Sequence, residues 1–285
     1  IKMESVQSKE TQILIVTEGI LTRKLQHDPS LEDVALIIFD EFHERSLHAD
    51  LSLALSLESQ SILRDDLKIL VMSATLNTSA ISKLLDHAPI VQSEGRSFPV
   101  ESIYLTPNTM QPNKKELPFF VHTLLQKILA KEEGNILVFL SGVREIKSVE
   151  KLLNTTKPKD VFISTLYGNL SKEDQDRAIK APPQGFRKVV LSTNIAQTSL
   201  TIEGIKIVVD SGLHNVSVFK PFSGMNKLES LFISQDSAIQ RAGRAGRLSE
   251  GKAYHIWHQS KILLEHDVPE ILSADLSQML LELAL

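Results

Sequence analysis

Short apolar runs alternate with longer amphipathic stretches along this 285-residue chain, and this alternation constrains its fold most strongly. The apolar run at residues 34–39 is typical of a fully buried strand in a parallel sheet, and residues 135–140 are predicted as another strand. The stretches between them, such as residues 47–63 and 144–153, have helical spacing and predict helices that cover the sheet. Further strands are predicted at residues 67–72, 161–166, 188–192 and 205–210. The pattern therefore predicts an α/β protein.

Two such series follow one another, which indicates two parallel-sheet lobes, the first of them incomplete. We expect the first lobe over residues 1–94 and the second over residues 95–258. Residues 259–285 return to a helical pattern and are expected to begin a further domain. Apolar and polar residues alternate around Pro221 and Gly224, which predicts a β-hairpin.

The composition excludes several kinds of protein. Hydrophobic residues make up 42% and charged residues 23%, which is ordinary for a globular protein, and the absence of cysteine excludes disulfides and thiolate metal sites. No apolar stretch approaches the ~20 residues of a membrane helix, so a cytoplasmic protein is expected. A net charge of −4 does not indicate a nucleic-acid binder. His255 and His258 lie in a β-type run and are expected to be structural.

Asp40 and Glu41 directly follow the strand predicted at residues 34–39. Ligands of open parallel sheets bind beyond the carboxyl ends of the strands. Phosphoryl transfer needs a carboxylate near Mg²⁺ and a group that orients the attacking water, and this pair can supply both. Alternatively, the pair opens the next helix, where acidic residues suit the helix dipole.

The sequence of residues 40–46, Asp-Glu-Phe-His-Glu-Arg-Ser, resembles motif II of DEAH-box helicases. Phe42 replaces the usual alanine, as in the bacterial HrpB-type branch. The resemblance implies RecA-like lobes, ATP and Mg²⁺ as cofactors, RNA as the partner and a winged-helix domain after the second lobe. It implies a metal site at Asp40 and Glu41, with Glu41 as the general base. His43 is expected to couple the nucleotide to neighbouring motifs.

Three weaker matches precede and follow motif II. Residues 17–21 resemble motif Ib, which implies that Thr17 and Gly19 contact the nucleic-acid backbone; alternatively, Thr17 caps a helix. Residues 73–75 resemble motif III, which implies nucleotide contacts from Ser73 and Thr75. Residues 139–146 resemble motif IV, which implies nucleic-acid contacts from Ser141 and Gly142.

Residues 192–202 resemble motif V and depart from it mainly at Gln197, where glutamate is usual. The resemblance implies that Thr193 and Asn194 contact RNA phosphate or sugar. It also implies that Glu203 binds the nucleotide ribose.

The most specific match is Gln-Arg-Ala-Gly-Arg-Ala-Gly-Arg at residues 240–247, which resembles motif VI. At ~100° per residue, three-residue helical spacing places Arg244 and Arg247 on nearly the same face. Guanidinium groups suit phosphate oxygens. The resemblance implies that Gln240, Arg244 and Arg247 contact the γ-phosphate, while Arg241 is structural. The alternative is a solvated basic turn or a non-specific RNA patch.

A phosphate loop of the form G-x-x-x-x-G-K-[ST] does not occur in the 285 residues. Residues 246–252 approach it, but Ala253 stands at the hydroxyl position. We expect this loop upstream of Ile1 in a longer protein, and we expect the isolated chain to be inactive. The predicted function is an ATP-dependent RNA helicase; a non-enzymatic RNA-binding scaffold and a DNA helicase are the alternatives.

Overall fold

The computed structural model describes residues 7–74, 78–93, 95, 98–197 and 200–284. The chain divides into two compact units, one of residues 1–90 with 268–285 and one of residues 91–267. These units reflect the packing of the chain, and the predicted domain boundaries after residues 94 and 258 stay predictions. Thr75, expected at the nucleotide, lies outside the described residues.

The first unit begins with a small sheet and its covering helices. Its elements are α1 (Glu18–His27), β1 (Leu36–Phe39), α2 (Leu47–Ile62), β2 (Lys68–Val71) and α3 (Thr78–Leu84). Within the described residues, β1 and β2 form a two-stranded parallel sheet, with Leu36 opposite Lys68 and Phe39 opposite Val71. Helix α2 begins after Ser46, whose hydroxyl accepts a hydrogen bond from the N–H of Ala49 at 3.1 Å.

Among the residues that the structure describes, one face of this sheet packs into a core and the other is partly exposed. Ile37 and Phe39 join a core with residues of α1 and α2, whereas Leu36 and Ile38 are 46% and 50% exposed. The expectation that residues 34–39 are a fully buried strand is therefore wrong. An unbroken apolar run does not by itself show which faces of its sheet are covered.

The second unit is built on a six-stranded parallel sheet, counted over the described residues. The six strands of this sheet are β3 (Val100–Leu105), β4 (Asn135–Phe139), β5 (Val161–Leu166), β6 (Arg187–Ser192), β7 (Ile205–Asp210) and β10 (Gly251–His258), and the unit also contains β8 (Leu213–Lys220) and β9 (Met225–Phe232). The order in the sheet is β3-β10-β7-β4-β6-β5, while β8 and β9 form a separate antiparallel pair. The hairpin predicted around Pro221 and Gly224 is confirmed.

Helices cover both faces of the six-stranded sheet. They are α4 (Leu117–Lys131), α5 (Val143–Thr156), α6 (Lys172–Ile179) and α7 (Gln235–Gly243). In β4, Ile136 and Val138 pack into one core with α4 and α5, while Leu137 and Phe139 pack into a second core on the other face. Both faces of β4 are therefore buried, and the strand predicted at residues 135–140 is confirmed.

The C-terminal residues 268–285 return to the first unit. They contain a 3₁₀ turn at Glu270–Leu272 and helix α8 (Ser277–Ala284). Among the described residues, no helix has both the length and the apolar character needed to cross a membrane.

Candidate functional site

Asp40 and Glu41 lie where β1 ends. Asp40 is exposed, and its Oδ1 accepts a hydrogen bond from the N–H of Glu41 at 2.9 Å. The N–H of Phe42 donates to the carbonyl of Met72 at 3.1 Å, which ties this loop to the end of β2. Ser73 follows Met72. The structure thus brings Asp40, Glu41 and Ser73 to the carboxyl edge of the same small sheet.

Phe42 anchors the carboxylate loop in the core. Its side chain is 3% exposed and packs edge-on against Phe39, with ring centroids 6.1 Å apart. The guanidinium of Arg45 lies 5.6 Å from the ring centre of Phe42. The aromatic side chain at position 42 therefore anchors the loop from the core side, while Asp40 and Glu41 lie on its solvent side.

The turn after the carboxylate pair has left-handed backbone at both ends. Glu41 has φ 52° and Arg45 has φ 48°, on either side of a 3₁₀ turn at Phe42–Glu44. A non-glycine residue in this region costs ~1–2 kcal/mol, so the surrounding contacts must hold it. Arg45 makes a two-bond pair with Asp50, at 2.8 and 3.1 Å. Glu41 is the N-cap residue of the 3₁₀ turn, without a side-chain capping bond, and α2 begins only at Leu47, so the pair does not open α2.

His43 sits beside the predicted general base. Its Nδ1 lies 3.5 Å from Oε2 of Glu41, and the side chain is 8% exposed. Within the described part of the chain, neither ring nitrogen has a hydrogen-bond partner, although both are buried. The imidazole is therefore held in a buried position beside the Glu41 carboxylate.

Glu270 fastens the C-terminal segment to this loop within the first unit. Its N–H donates to the carbonyl of Arg45 at 3.0 Å, and its Oε2 accepts from the N–H of Leu47 at 2.7 Å. The carboxylate thus satisfies one of the free N–H groups at the start of α2. Glu270 therefore supports the turn that carries Glu41.

Thr17 and Gly19 lie at the start of α1. Thr17 occupies the N-cap position and is exposed, but its hydroxyl makes no capping hydrogen bond. A Cβ on Gly19 would meet only ordinary contacts with His48, at 3.8 Å or more. The alternative that the Thr17 side chain caps the helix is not supported by this geometry.

The motif V residues lie in the loop after β6. Thr193 is half-buried, and Asn194 is exposed and begins a 3₁₀ turn. Glu203 is exposed, and its N–H donates to the carbonyl of Ile179 at 3.4 Å. The side chains of Asn194 and Glu203 are therefore accessible to a ligand.

Ser141 and Gly142 are buried where β4 leads into α5. Ser141 is 5% exposed. A Cβ on Gly142 would lie 2.6 Å from Nδ2 of Asn215 in β8, so a larger residue here would have to displace the Asn215 amide. Burial leaves little of either side chain for nucleic acid.

Arg241 is a fully buried member of the motif VI segment. Its side chain is 1% exposed, and its Nη1 pairs with Oδ1 of Asp210 at 2.9 Å. Its guanidinium lies 4.8 Å from the ring centre of Phe139, and its Nε donates to Oε1 of Gln197 at 3.0 Å. These contacts agree with the structural role expected for Arg241.

Arg244 and Arg247 reach neighbouring residues of one loop. Helix α7 ends at Gly243, and Arg244 starts a 3₁₀ turn, which still brings residues three apart to one side. Arg244 is 6% exposed and donates to the carbonyls of Gln197 and Leu200. Arg247 is exposed and donates to Oγ1 of Thr201 at 2.6 Å. The alternative of a solvated turn is wrong for Arg241 and Arg244.

The glycines of this segment differ. A Cβ on Gly246 would lie 2.5 Å from the carbonyl oxygen of Phe98, whereas a Cβ on Gly243 would meet nothing within 4 Å. The close approach of the Phe98 backbone therefore explains why position 246 is glycine, but no such contact explains the glycine at position 243. Gln240 is half-buried, with its Oε1 3.2 Å from Nε2 of Gln197.

His255 of β10 packs in the interior of the second unit. His255 is 4% exposed and stacks on Tyr104, with ring centroids 4.6 Å apart. Burial lowers the pKa of His255, and the nearby Asp210 opposes that shift.

Two family models match the chain. The DEAD/DEAH box helicase model matches residues 1–84, which contain Asp40 and Glu41, and the helicase conserved C-terminal domain model matches residues 120–249, which contain the motif VI segment. The chain belongs to the DEAD/DEAH box helicases. The α/β fold predicted from the sequence is that of RecA-like helicase domains.

Curated relatives of this DEAD/DEAH box helicase chain include bacterial RNA helicases. It is 50% identical over 275 residues to the ATP-dependent RNA helicase HrpB of Escherichia coli K12, covering 96% of this chain and 34% of the relative. It is 40% identical over 287 residues to the ATP-dependent RNA helicase HrpA of Borreliella burgdorferi, covering 100% of this chain and 35% of the relative. The chain thus spans about a third of the length of these relatives.

A solved structure gives the same assignment. The crystal structure of Escherichia coli DEAH/RHA helicase HrpB matches with a TM-score of 0.90 and 48% identity, over 97% of this chain and 35% of that chain. The predicted likeness to the HrpB-type branch is confirmed.

The sequence reasoning missed three residues that support the helicase motifs. Glu270 and Asp267 were not predicted to support the site, and Gln197 was noted only as a departure from the usual glutamate. Asp267 accepts from the hydroxyl of Ser237 at 2.6 Å, at the start of α7. Only the change at Gln197 was visible in the sequence, because the other contacts join residues far apart in the chain.

Proposed function

We propose that this chain is the part of an ATP-dependent RNA helicase that supplies the catalytic carboxylates and the motif VI arginines. The observation that carries the proposal is the pair of exposed Asp40 and half-buried Glu41 at the carboxyl edge of β1 and β2, held by the buried Phe42. Asp40 would hold Mg²⁺ through water, and Glu41 would act as the general base toward the attacking water.

The donor set suits the metal. Mg²⁺ takes oxygen ligands and keeps several waters, usually with one or two carboxylates. Asp40 presents a carboxylate at an exposed strand end, with one oxygen oriented by the N–H of Glu41 at 2.9 Å. When bound with ATP, the metal would neutralise charge on the phosphates.

The remaining roles follow the motifs. His43 would couple Glu41 to the neighbouring motifs, Ser73 and Thr75 would lie near the nucleotide, and Glu203 would contact the ribose. Gln240, Arg244 and Arg247 would stabilise charge on the γ-phosphate, which for arginine fingers is typically worth ~10³ to 10⁵ in rate.

RNA is the proposed partner. Thr17 and Asn194 are exposed, which favours contacts from these residues to the RNA backbone. Gly19 and Thr193 are their neighbours in the sequence and are proposed to contribute to the same contacts. Ser141 and Gly142 are buried and would offer main-chain groups rather than side chains. A DNA helicase and a non-enzymatic RNA-binding scaffold are the competing proposals.

The test uses Glu41→Gln in a longer protein that contains this chain together with a phosphate loop. General-base loss should lower RNA-stimulated kcat about 10²- to 10⁴-fold while RNA binding is retained. Glu58→Gln, an exposed position on α2, is the matched control and should keep full turnover. Equal turnover by Glu41→Gln and the unaltered protein would reject Glu41 as the base.

Two further measurements separate the competing proposals. A scaffold would bind RNA without turnover, and a DNA helicase would be stimulated more by DNA than by RNA at the same stated salt concentration. The isolated 285-residue chain should show no RNA-stimulated ATP hydrolysis, because a phosphate loop is not among its residues.

A further inference from the structure

The N-terminus of the motif VI helix α7 is fastened by residues 264–267 of the same unit. The N–H of Gln235 donates to the carbonyl of Leu264 at 2.7 Å. The carboxylate of Asp267 accepts from the N–H of Ser234 at 3.3 Å through Oδ1, and from the hydroxyl of Ser237 at 2.6 Å through Oδ2. Asp267 therefore sits at the positive end of the helix that leads to Arg244.

The hydroxyl of Ser237 donates its single proton to the carboxylate of Asp267. Ser237 is 3% exposed, and a carboxylate at 2.6 Å can only accept. The second close neighbour of this hydroxyl oxygen is Nε2 of Gln197, at 2.7 Å. Gln197 must therefore be the donor in that contact.

The contact between Gln197 and Arg241 fixes the orientation of the Gln197 side-chain amide. The Nε of Arg241 lies 3.0 Å away and can only donate, so the facing atom of Gln197 is its oxygen. Its Nε2 also lies 3.2 Å from Oε1 of Gln240, and its backbone carbonyl accepts from the Nε of Arg244 at 2.9 Å. One residue thus contacts three side chains of the motif VI segment.

We infer that Gln197 is a positioning residue for the motif VI side chains, and that Asp267 makes an amide, rather than a carboxylate, the required group at position 197. A glutamate there could still accept from Arg241. It would compete with Asp267 for the one proton of Ser237, and it would remove the donor that now faces Oε1 of Gln240. The effect on catalysis rests on the proposed function, because it assumes that motif VI acts on the nucleotide.

The same hydrogen-bond pattern predicts a compensating change. In the Asp267→Asn variant, the new amide nitrogen would donate to Ser237, and the amide oxygen would still accept from the N–H of Ser234. Ser237 could then donate its proton to a glutamate at position 197. Gln197→Glu and Asp267→Asn should therefore each disturb the chain alone and compensate each other when combined.

Thermal unfolding of the 285-residue chain tests this pattern without any assumption about activity. Each single variant should lower the Tm by roughly 2–4 °C, and the double variant should recover most of the loss. Gln184→Glu, an exposed position before β6, is the control and should leave the Tm unchanged. If Gln197→Glu alone does not fold, a folded double variant gives the same answer. Additive losses, or an unchanged Tm in Gln197→Glu, would overturn the inference.

The longer protein with a phosphate loop tests the positioning role. Gln197→Glu should lower kcat roughly 10- to 100-fold with little change in the KM for ATP, and adding Asp267→Asn should restore kcat. If the unaltered protein has no turnover, the proposed function fails, while the unfolding cycle still decides the pairing of Gln197 with Asp267. Normal kcat in an active Gln197→Glu protein would reject the positioning role.

Discussion

The guanidinium of Arg241 and the carboxylate of Asp210 form an ion pair of 2.9 Å in which both side chains are 1% exposed. The same carboxylate oxygen accepts from the N–H of Gly212 at 2.9 Å, where the chain turns from β7 into β8. The pair therefore connects α7 with the end of β7 and the start of the hairpin. Such a pair restrains the relative positions of these elements, because separating the partners would leave an uncompensated charge in the interior.

Replacing Arg241 by Met should lower the free energy of unfolding by about 3–5 kcal/mol, because the charge on Asp210 stays buried without its partner. Denaturant unfolding of the chain measures the loss. Adding Asp210→Asn removes the uncompensated charge and should recover part of it. A double variant no more stable than Arg241→Met would show that the lost packing of Arg241, rather than the charge on Asp210, accounts for the effect.

The sequence predicted the local features of the site better than its supports. Asp40 and Glu41 were found because a short apolar strand ends there, and Arg244 and Arg247 because their spacing is local. The exposed face of β1 at Leu36 was mispredicted, because burial depends on what covers a sheet. Helix α4 (Leu117–Lys131) was not predicted.

The supporting contacts could not be predicted, because they depend on the folded chain. Glu270 lies 223 positions from Leu47, and Asp267 lies 30 positions from Ser237. Neither spacing produces a periodic signal. The burial of Ser141 likewise depends on the hairpin folding back over Gly142.

Glu270→Ala should destabilise the turn that carries Glu41. The variant removes the acceptor for the N–H of Leu47 and a negative charge at the start of α2, which together are typically worth ~1 kcal/mol. Differential scanning calorimetry should show a Tm lower by roughly 2–4 °C. Glu270→Gln keeps an acceptor oxygen without the charge, so its Tm should lie between those of Glu270→Ala and the unaltered chain.

Glu32→Ala, at an exposed position before β1, is the control for Glu270 and should leave the Tm unchanged. In the longer protein, Glu270→Ala should also lower kcat, because Glu41 lies at the other end of the same turn. A normal Tm in Glu270→Ala would show that the hydrogen bond to Leu47 does not support the turn.

Lys188 caps the C-terminal end of α6 from inside the protein. The side chain is fully buried, and its Nζ donates to the carbonyls of Arg177, Ala178 and Lys180 at 2.8, 2.6 and 2.5 Å. Burial lowers the pKa of Lys188 to about 8, against an opposing effect of Glu203. The unfolded chain therefore holds this proton more tightly than the folded chain.

This difference fixes the direction of the pH dependence. Between pH 8 and the unfolded pKa of 10.5, the unfolded state carries more protons on Lys188, so the free energy of unfolding rises with pH in this window. The full rise is about 3 kcal/mol for the lowering of the pKa from 10.5 to about 8. The experiment measures urea unfolding of the chain and of Lys188→Met from pH 7 to 10. The difference in free energy of unfolding between the two proteins isolates the contribution of Lys188, because the effects of the other titrating groups cancel.

The control is Lys180→Met, because the Lys180 side chain is 76% exposed; its stability should follow that of the unaltered chain at every pH. A stability difference between the chain and Lys188→Met that stays flat or falls from pH 8 to 10 contradicts the lowered pKa.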